Sequence, residues 1–191
     1  MIVLVSGLLL FIATHSVRLF ANDWRTASIA RLGTRNWRLL YGLVAIASLL
    51  LVIYGYGLSR QAPVFLWNPP LWTRHLAILL VWIAFVLFAS ASVRGNHIKQ
   101  QLGHPMYAGI KVWAFAHLLA NGRLGDVVLF GSLLLWAVLG FTVSRRRDRA
   151  QGVSYPAGST KRTLEAIVGG TVLWAIFLFW LHRLLIGVPP L

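Results

Sequence analysis

Three ionisable side chains stand inside otherwise apolar stretches of this sequence, and their chemistry is the first clue to function. His15 follows a run of mostly apolar residues, whereas Lys111 and His117 belong to GHPMYAGIKVWAFAHLLANG, residues 103–122. Ionisable groups in apolar helices are costly and usually face a protein interior. Because the chain contains no cysteine, histidine is the only common strong ligand left for a transition metal. The two histidines therefore indicate either haem ligation or hydrogen bonds that tie helices together.

Helical spacing places the polar groups of residues 103–122 on two edges of one helix. His104 and Lys111 share one face, and Trp113, His117 and Asn121 share another, at spacings of three and four. The proline after His104 suits the first turn of a helix, so this pair marks where the helix begins. His104 is then either an interfacial residue or a functional one. Lys111 either extends its ammonium to the head groups or forms a salt bridge with an acidic group of a ligand.

The elements that must position these residues are transmembrane helices. The 191 residues are 58% hydrophobic and 12% charged, with a mean hydropathy of +0.73, which is typical of a polytopic membrane protein. The apolar runs are continuous rather than alternating, so an all-α bundle is expected and not a barrel. The fourth run is the shortest and least apolar. About six transmembrane helices are predicted, near residues 2–20, 39–58, 71–93, 103–120, 124–143 and 164–188.

The distribution of basic residues predicts the orientation of this bundle. Of the 18 lysines and arginines, 13 lie in or at the edges of the first, third and fifth gaps, and four lie on the opposite side. Positive charge favours the cytoplasm, so both termini are expected outside. The net charge of +14 is confined to short gaps between apolar runs, which favours lipid head groups over nucleic acid as partners. The first run is interpreted as a retained helix.

The gaps themselves offer little further chemistry. Residues 62–72, rich in proline and tryptophan, are expected to form an ordered loop in the head-group zone. Residues 145–163 form the only long polar segment, interpreted as a solvated cytoplasmic loop or as a contact site for a partner protein. Chemistry that needs paired carboxylates is poorly supported, because the acidic residues are few and lie near predicted helix ends: Asp23, Asp126, Asp148 and Glu165.

Several stretches resemble the NnrU family of bacterial membrane proteins. They are HSVRLFA, WTRHLA, the run from GNHIKQQLGHP to GSLLLWAV, KRTLEAIVGG and WLHRLLIGV. The resemblance covers essentially the whole chain and implies one transmembrane domain over residues 1–191. It also implies an integral protein of the bacterial inner membrane that supports denitrification, meaning nitrite and nitric oxide reduction. Components of the nitrite or nitric oxide reductases are then the expected protein partners.

A more distant similarity links this family to 15-cis-zeta-carotene isomerase, a membrane protein that binds haem b through histidines. The match places His15, followed by Ser16, and His117, preceded by Trp113, at the positions associated with haem ligation. The isomerase has a cysteine three residues before its second histidine, thought to exchange as a ligand on redox change. Here that residue is Ala114, so this ligand exchange is not expected.

The resemblance turns the two histidines into a specific hypothesis. His15 and His117 are expected to ligate the iron of haem b, Trp113 to wall the pocket, and Asn121 to order the second ring nitrogen of His117. Lys111 would then pair with a haem propionate. Depth along the helices instead makes His104 the natural partner of His15.

Three functions follow from these alternatives. The first is a haem protein that supports nitrogen-oxide respiration. The second is a haem-dependent membrane isomerase or a catalyst that transforms nitric oxide. The third is a cofactor-free assembly or maturation factor, whose histidines only tie helices together. The residues do not indicate a substrate or an oligomeric state.

Overall fold

The computed structural model describes residues 1–190, which form helices joined by short connections. The last long helix continues from α7 through one π-helical turn, Phe177–Leu181, into α8. Within the described residues, the isolated β-bridges amount to one pairing of Phe65 with Arg123. The helices are α1 Ile2–Phe20, α2 Asn22–Gln61, α3 Leu71–Ser92, α4 His97–Leu102, α5 Pro105–Ala120, α6 Leu124–Ala150, α7 Thr160–Ile176 and α8 His182–Ile186.

Five of these helical segments are long and apolar enough to cross a membrane: α1, α2, α3, α6 and the continuous segment Thr160–Ile186. The fourth predicted run corresponds to α5, which has 16 residues and is shorter than the roughly 20 needed to span a bilayer. The all-α, multi-pass architecture expected from the sequence is therefore confirmed. The placement of both termini outside stays a prediction.

The first gap between apolar runs is helical, which hydropathy did not reveal. The second run was expected to begin near residue 39, but α2 begins at Asn22. Gly33 interrupts it with φ 76° and ψ 154°, a positive φ that glycine adopts at little cost. Residues 22–32 thus form a helical arm before the kink, and Trp24 meets Trp37 edge to face at 5.6 Å between ring centroids. The arm mixes basic and apolar residues, so its mean hydropathy resembles that of a loop.

Contacts divide the chain into two compact units. Unit 1 contains residues 1–66 and 123–132, and unit 2 contains residues 67–122 and those from 133 onward. The first nine residues of α6 therefore belong to unit 1 and the rest to unit 2. The prediction of a single domain over residues 1–191 stays a prediction, and Leu191 lies outside the described residues.

In unit 1, α1 packs along α2 through glycines at close backbone approaches. A Cβ added at Gly7 would lie 2.8 Å from the Val52 nitrogen, and one at Gly55 would overlap the backbone of Leu4. Small residues of this kind let helices in a membrane approach closely and gain dispersion contacts.

In unit 2, α3 packs against both α5 and α7. A Cβ at Gly109 would lie 2.5 Å from the Phe88 ring, so α5 approaches α3 through a residue without a side chain. The indole nitrogen of Trp82 donates to the Thr171 hydroxyl at 2.9 Å. The first contact fixes α5, which carries Lys111, Trp113 and His117, against α3, and the second joins α3 to α7.

The polar segment 145–163 is more ordered than a solvated loop would be. Helix α6 continues to Ala150. The backbone nitrogen of Gly158 donates to the Gln100 side chain at 2.8 Å, and that of Ser159 donates to the Gly95 carbonyl at 2.8 Å. The connection before α7 is therefore held to α4 and to the turn before it, although residues 151–154 are exposed.

Candidate functional site

His15 lies in the second half of α1 with its ring held by its own helix. Its Nδ1 is 2.8 Å from the Phe11 carbonyl oxygen, one turn earlier. The imidazole stacks on the Phe11 ring at 4.0 Å between centroids, with an interplanar angle of 28°. Tyr41 of α2 approaches its edge at 6.1 Å. Both the position and the orientation of this ring are therefore restrained.

His117 on α5 has the same local arrangement. Its Nδ1 is 2.8 Å from the Trp113 carbonyl oxygen, and its ring lies 4.8 Å from the Trp113 ring. Trp113 is thus beside the imidazole, and its role as the wall of a haem pocket stays a prediction. The Asn121 amide donates to the backbone carbonyl of His117 at 2.8 Å. The expected bond from Asn121 to the ring of His117 is replaced by this bond to the main chain.

These contacts decide which ring nitrogen carries the hydrogen. A carbonyl oxygen only accepts hydrogen bonds, so the nitrogen facing it must be the donor. His15 and His117 therefore carry a hydrogen on Nδ1 and a lone pair on Nε2 when neutral. Metal-ligating histidines usually have this second hydrogen bond, which fixes the tautomer and the ring orientation.

A cavity of about 320 Å³ lies beside His15 within unit 1. Its wall combines three arginines with aromatic, hydroxyl and aliphatic side chains. The lining residues are Thr14, His15, Val17, Arg18, Arg25, Ile29, Thr34, Trp37, Arg38 and Tyr41.

His104 belongs to a polar cluster that the sequence reading did not predict. Its Nε2 is 2.6 Å from Oδ2 of Asp148 on α6, and the Tyr155 hydroxyl donates to the same carboxylate oxygen. Gly103 makes room for this tyrosine, because a Cβ there would overlap the phenol. Burial, followed by the hydrogen bond to Asp148, raises the pKa of Tyr155, so the phenol stays protonated and donating at neutral pH. His104 is thereby tied to α6 and to the following loop.

Lys111 contacts an aromatic ring and not an acidic residue. Its ammonium lies over the Phe141 ring of α6, 3.8 Å from the centroid, and the side chain is half-buried. The ion pairs of residues 1–190 are His104 with Asp148 and Arg162 with Glu165. A cation–π contact is therefore the partner that the protein itself provides for Lys111.

The remaining histidines lie near helix ends, as expected. His97 is the first residue of α4, and His75 is exposed in the first turns of α3. His182 begins α8, and its Nδ1 is 2.7 Å from the Val188 carbonyl oxygen. His182 thus shares the tautomer of His15 and His117, but its partner lies beyond the end of the helix.

The structure assigns the predicted site residues to different units. Trp113, His117, Asn121, Lys111 and His104 belong to unit 2, and His15 belongs to unit 1. Among residues 1–190, no three histidine or acidic side chains come together in a group that could hold a metal ion. The hypothesis that His15 and His117 share one iron stays a prediction.

Sequence reasoning missed several residues of these sites. Phe11 was not predicted, although Phe11 and Trp113 each precede a histidine by four positions. The repeated pattern aromatic-x-x-x-His was thus a signal for an imidazole that contacts both the carbonyl and the ring of the residue one turn earlier. No comparable signal linked His104 to Asp148, which is 44 positions away.

Comparison with known proteins supports the resemblance noted in the sequence. The model of the family described as NnrU protein matches residues 3–190, nearly the whole chain. Neither the curated proteins nor the solved structures gave a match.

Proposed function

The chain belongs to the NnrU family, and we propose that it is an inner-membrane haem b protein that supports denitrification. Its helices have the length and composition of a multi-pass membrane protein. The link to nitrite and nitric oxide reduction comes from the family resemblance. Within that process the protein is a redox component, a maturation factor or a partner of the reductases that responds to nitric oxide.

The observation that carries the haem proposal is the shared tautomer of His15 and His117. Each imidazole donates from Nδ1 to a carbonyl of its own helix, at 2.8 Å in both cases. This bond fixes the ring and places the lone pair of the neutral imidazole on Nε2, the nitrogen through which we propose that each histidine binds haem iron. An aromatic ring lies beside each histidine, with Phe11 stacked on His15 and Trp113 tilted against His117, and such rings supply the apolar surface that a porphyrin favours.

The chain's own residues would hold the haem through these two imidazoles. Bound haem would supply one-electron chemistry or the binding of a small gas such as nitric oxide. The Nδ1 bonds to the main chain limit rotation of both imidazoles, so little conformational entropy is lost when a ligand binds.

The isomerase alternative has less support from these residues. Ala114, at the position of the isomerase cysteine, is fully buried and has no atom that can ligate iron. A reaction that depends on exchanging cysteine for histidine would therefore lack its second ligand here. The haem site needs only the two histidines and does not depend on this position.

An optical spectrum of purified protein tests the proposal. Ligation by two histidines predicts a Soret band and split visible bands after reduction, the signature of low-spin haem. A preparation from haem-sufficient cells that contains folded protein but no Soret band would contradict it. The cofactor-free assembly factor would then be the better interpretation.

Reporter fusions test the accompanying proposal for orientation. Because 13 of the 18 basic residues lie in or beside the odd-numbered gaps, we expect the segment 145–163 in the cytoplasm and the C-terminus outside. Alkaline phosphatase fused after the last residue should be active, and green fluorescent protein at the same position should be dark. The opposite pattern would exclude the arrangement with both termini outside.

A further inference from the structure

The cavity beside His15 contains more positive charge than the protein neutralises. Arg18, Arg25 and Arg38 all line it. Neither ion pair in residues 1–190 includes any of these arginines. Three cations around one cavity repel each other, so their convergence is costly unless an anion occupies the space between them.

The three arginines come from different parts of unit 1, which shows that the fold itself assembles the cluster. Arg18 belongs to the last turn of α1 and Arg25 to the start of the helical arm, residues 22–32. Arg38 follows the kink at Gly33. The kink lets the arm and the rest of α2 both contribute to one cavity. Membrane topology depends only on how many basic residues lie on each side of the membrane, so it does not explain why these three arginines line one cavity.

The position of the cavity along the helices suggests where its ligand comes from. Arg18 stands two residues before the end of α1, and Arg38 directly precedes the apolar part of α2 that begins at Leu39. Both arginines therefore mark the level at which the apolar spans of unit 1 end. In a bilayer this is the level of the lipid phosphates.

The other lining residues match an amphiphile. Trp37 and Ile29 provide apolar wall, and Thr34 and Tyr41 bring hydroxyl groups that can donate to phosphate oxygens. The volume of about 320 Å³ is at the lower end of the range for small-molecule pockets, roughly 300–1,000 Å³. It suits a head group whose acyl chains continue along the apolar surface. Guanidinium groups bind phosphate with paired, parallel hydrogen bonds.

We propose that this cavity binds the phosphate head group of an acidic phospholipid. Such a lipid would neutralise part of the arginine cluster and hold the helical arm against α2. The proposal does not depend on haem, because it concerns the arginines and not the Nε2 of His15.

Native mass spectrometry of the purified full-length protein tests this inference. The protein is incubated in micelles with equal amounts of phosphatidylglycerol and phosphatidylcholine, and the retained lipid is measured. We expect preferential retention of phosphatidylglycerol. Arg18→Gln, Arg25→Gln and Arg38→Gln should each reduce that retention about fivefold, the scale expected for removing one basic residue near an anionic lipid.

Arg31→Gln and Arg35→Gln are matched controls, because they remove the same charge from α2 at exposed positions outside the cavity lining. Both should keep the preference for phosphatidylglycerol. Equal losses in all five variants would overturn the proposal, since diffuse attraction would then explain binding. Arg38→Lys, which keeps the charge but loses the paired hydrogen bonds, should show a partial loss in a normally folded protein.

Two further additions identify the source of the anion. Inorganic phosphate at the lipid concentration should not displace phosphatidylglycerol, and displacement would show that the site takes a free oxyanion instead. Added haem should likewise leave lipid retention unchanged. Loss of phosphatidylglycerol on haem binding in wild type, but not in His15→Ala, would assign the arginines to the haem carboxylates and overturn the lipid proposal.

Discussion

The two ends of α5 each have a histidine, and the two side chains are held in opposite ways. At the start of the helix, the His104 ring is bound by Asp148 of α6, with Tyr155 on the same carboxylate. Near the end, the His117 ring donates from Nδ1 to a carbonyl of its own helix. The first arrangement uses Nε2 to join segments of the protein, and the second uses Nδ1 to fix the ring on its own helix.

This difference separates a structural histidine from a candidate ligand on one helix. Spacing and hydropathy treat both residues alike, and depth along the helices favoured His104 as the partner of His15. The hydrogen bonds favour His117, because its Nδ1 contact matches that of His15 in distance and in the residue spacing of its partner.

The largest expected effect is the loss of haem when a ligand is removed. His15→Ala and His117→Ala should each abolish the low-spin spectrum or convert it to high spin, since each removes one of two strong bonds to iron. His104→Ala and His97→Ala should leave the spectrum intact. His182→Ala is the sharpest control, because His182 has the same tautomer at an exposed helix end.

The opposite result for His104 and His117 would contradict the roles assigned to these two histidines. If His104→Ala abolished the spectrum and His117→Ala did not, the ligand pair would be His15 with His104. The bond from His104 to Asp148 would then have to give way when haem binds. Optical spectra of the five variants, taken at matched protein concentration, distinguish the two results.

The next largest effect should be on stability, at the other histidine. Asp148→Ala would leave the polar groups of His104 and Tyr155 partly buried without their acceptor. We expect a loss of about 2 kcal/mol in the free energy of unfolding, measured by denaturant titration in detergent, with the haem spectrum unchanged. Glu165→Ala removes an exposed ion pair with Arg162 and should cost less than about 1 kcal/mol. A haem loss in Asp148→Ala would contradict the structural role given to His104.

Sequence reasoning succeeded where local composition determines structure. It predicted the multi-pass helical fold and the shortness of the helix that became α5. It failed for the arm before Gly33, whose mixed composition hides a helix. It also failed for the contact of His104 with Asp148, because tertiary packing and not sequence spacing brings these side chains together.

A smaller effect is expected at Lys111, where the sequence allowed snorkelling or an ion pair. The ammonium lies over the Phe141 ring, and methionine also packs well against aromatic rings. Lys111→Met should therefore change the stability by less than about 1 kcal/mol and leave haem occupancy unaltered. Reduced occupancy, measured as the ratio of Soret to protein absorbance, would show that Lys111 pairs with a propionate when haem is bound.

The smallest effect is expected at Asn121. Its amide donates to the main-chain carbonyl of His117 and not to the ring. Asn121→Ala should keep the haem spectrum and lower the midpoint of thermal unfolding slightly. The variant loses one hydrogen bond, which contributes about 1 kcal/mol or less to the free energy of unfolding. A shift of the haem bands would instead indicate that Asn121 orients the imidazole.

The close packing of α1 on α2 limits the substitutions that these two helices can tolerate. At Gly7 and Gly55 the partner is backbone, so selection acts there on volume, and even alanine is excluded. Exposed neighbours such as Leu9 and Ile53 are constrained by polarity alone and can be exchanged for other apolar residues. In a library of random variants, these two glycines should therefore be among the least replaceable positions of α1 and α2, although no chemistry takes place at either.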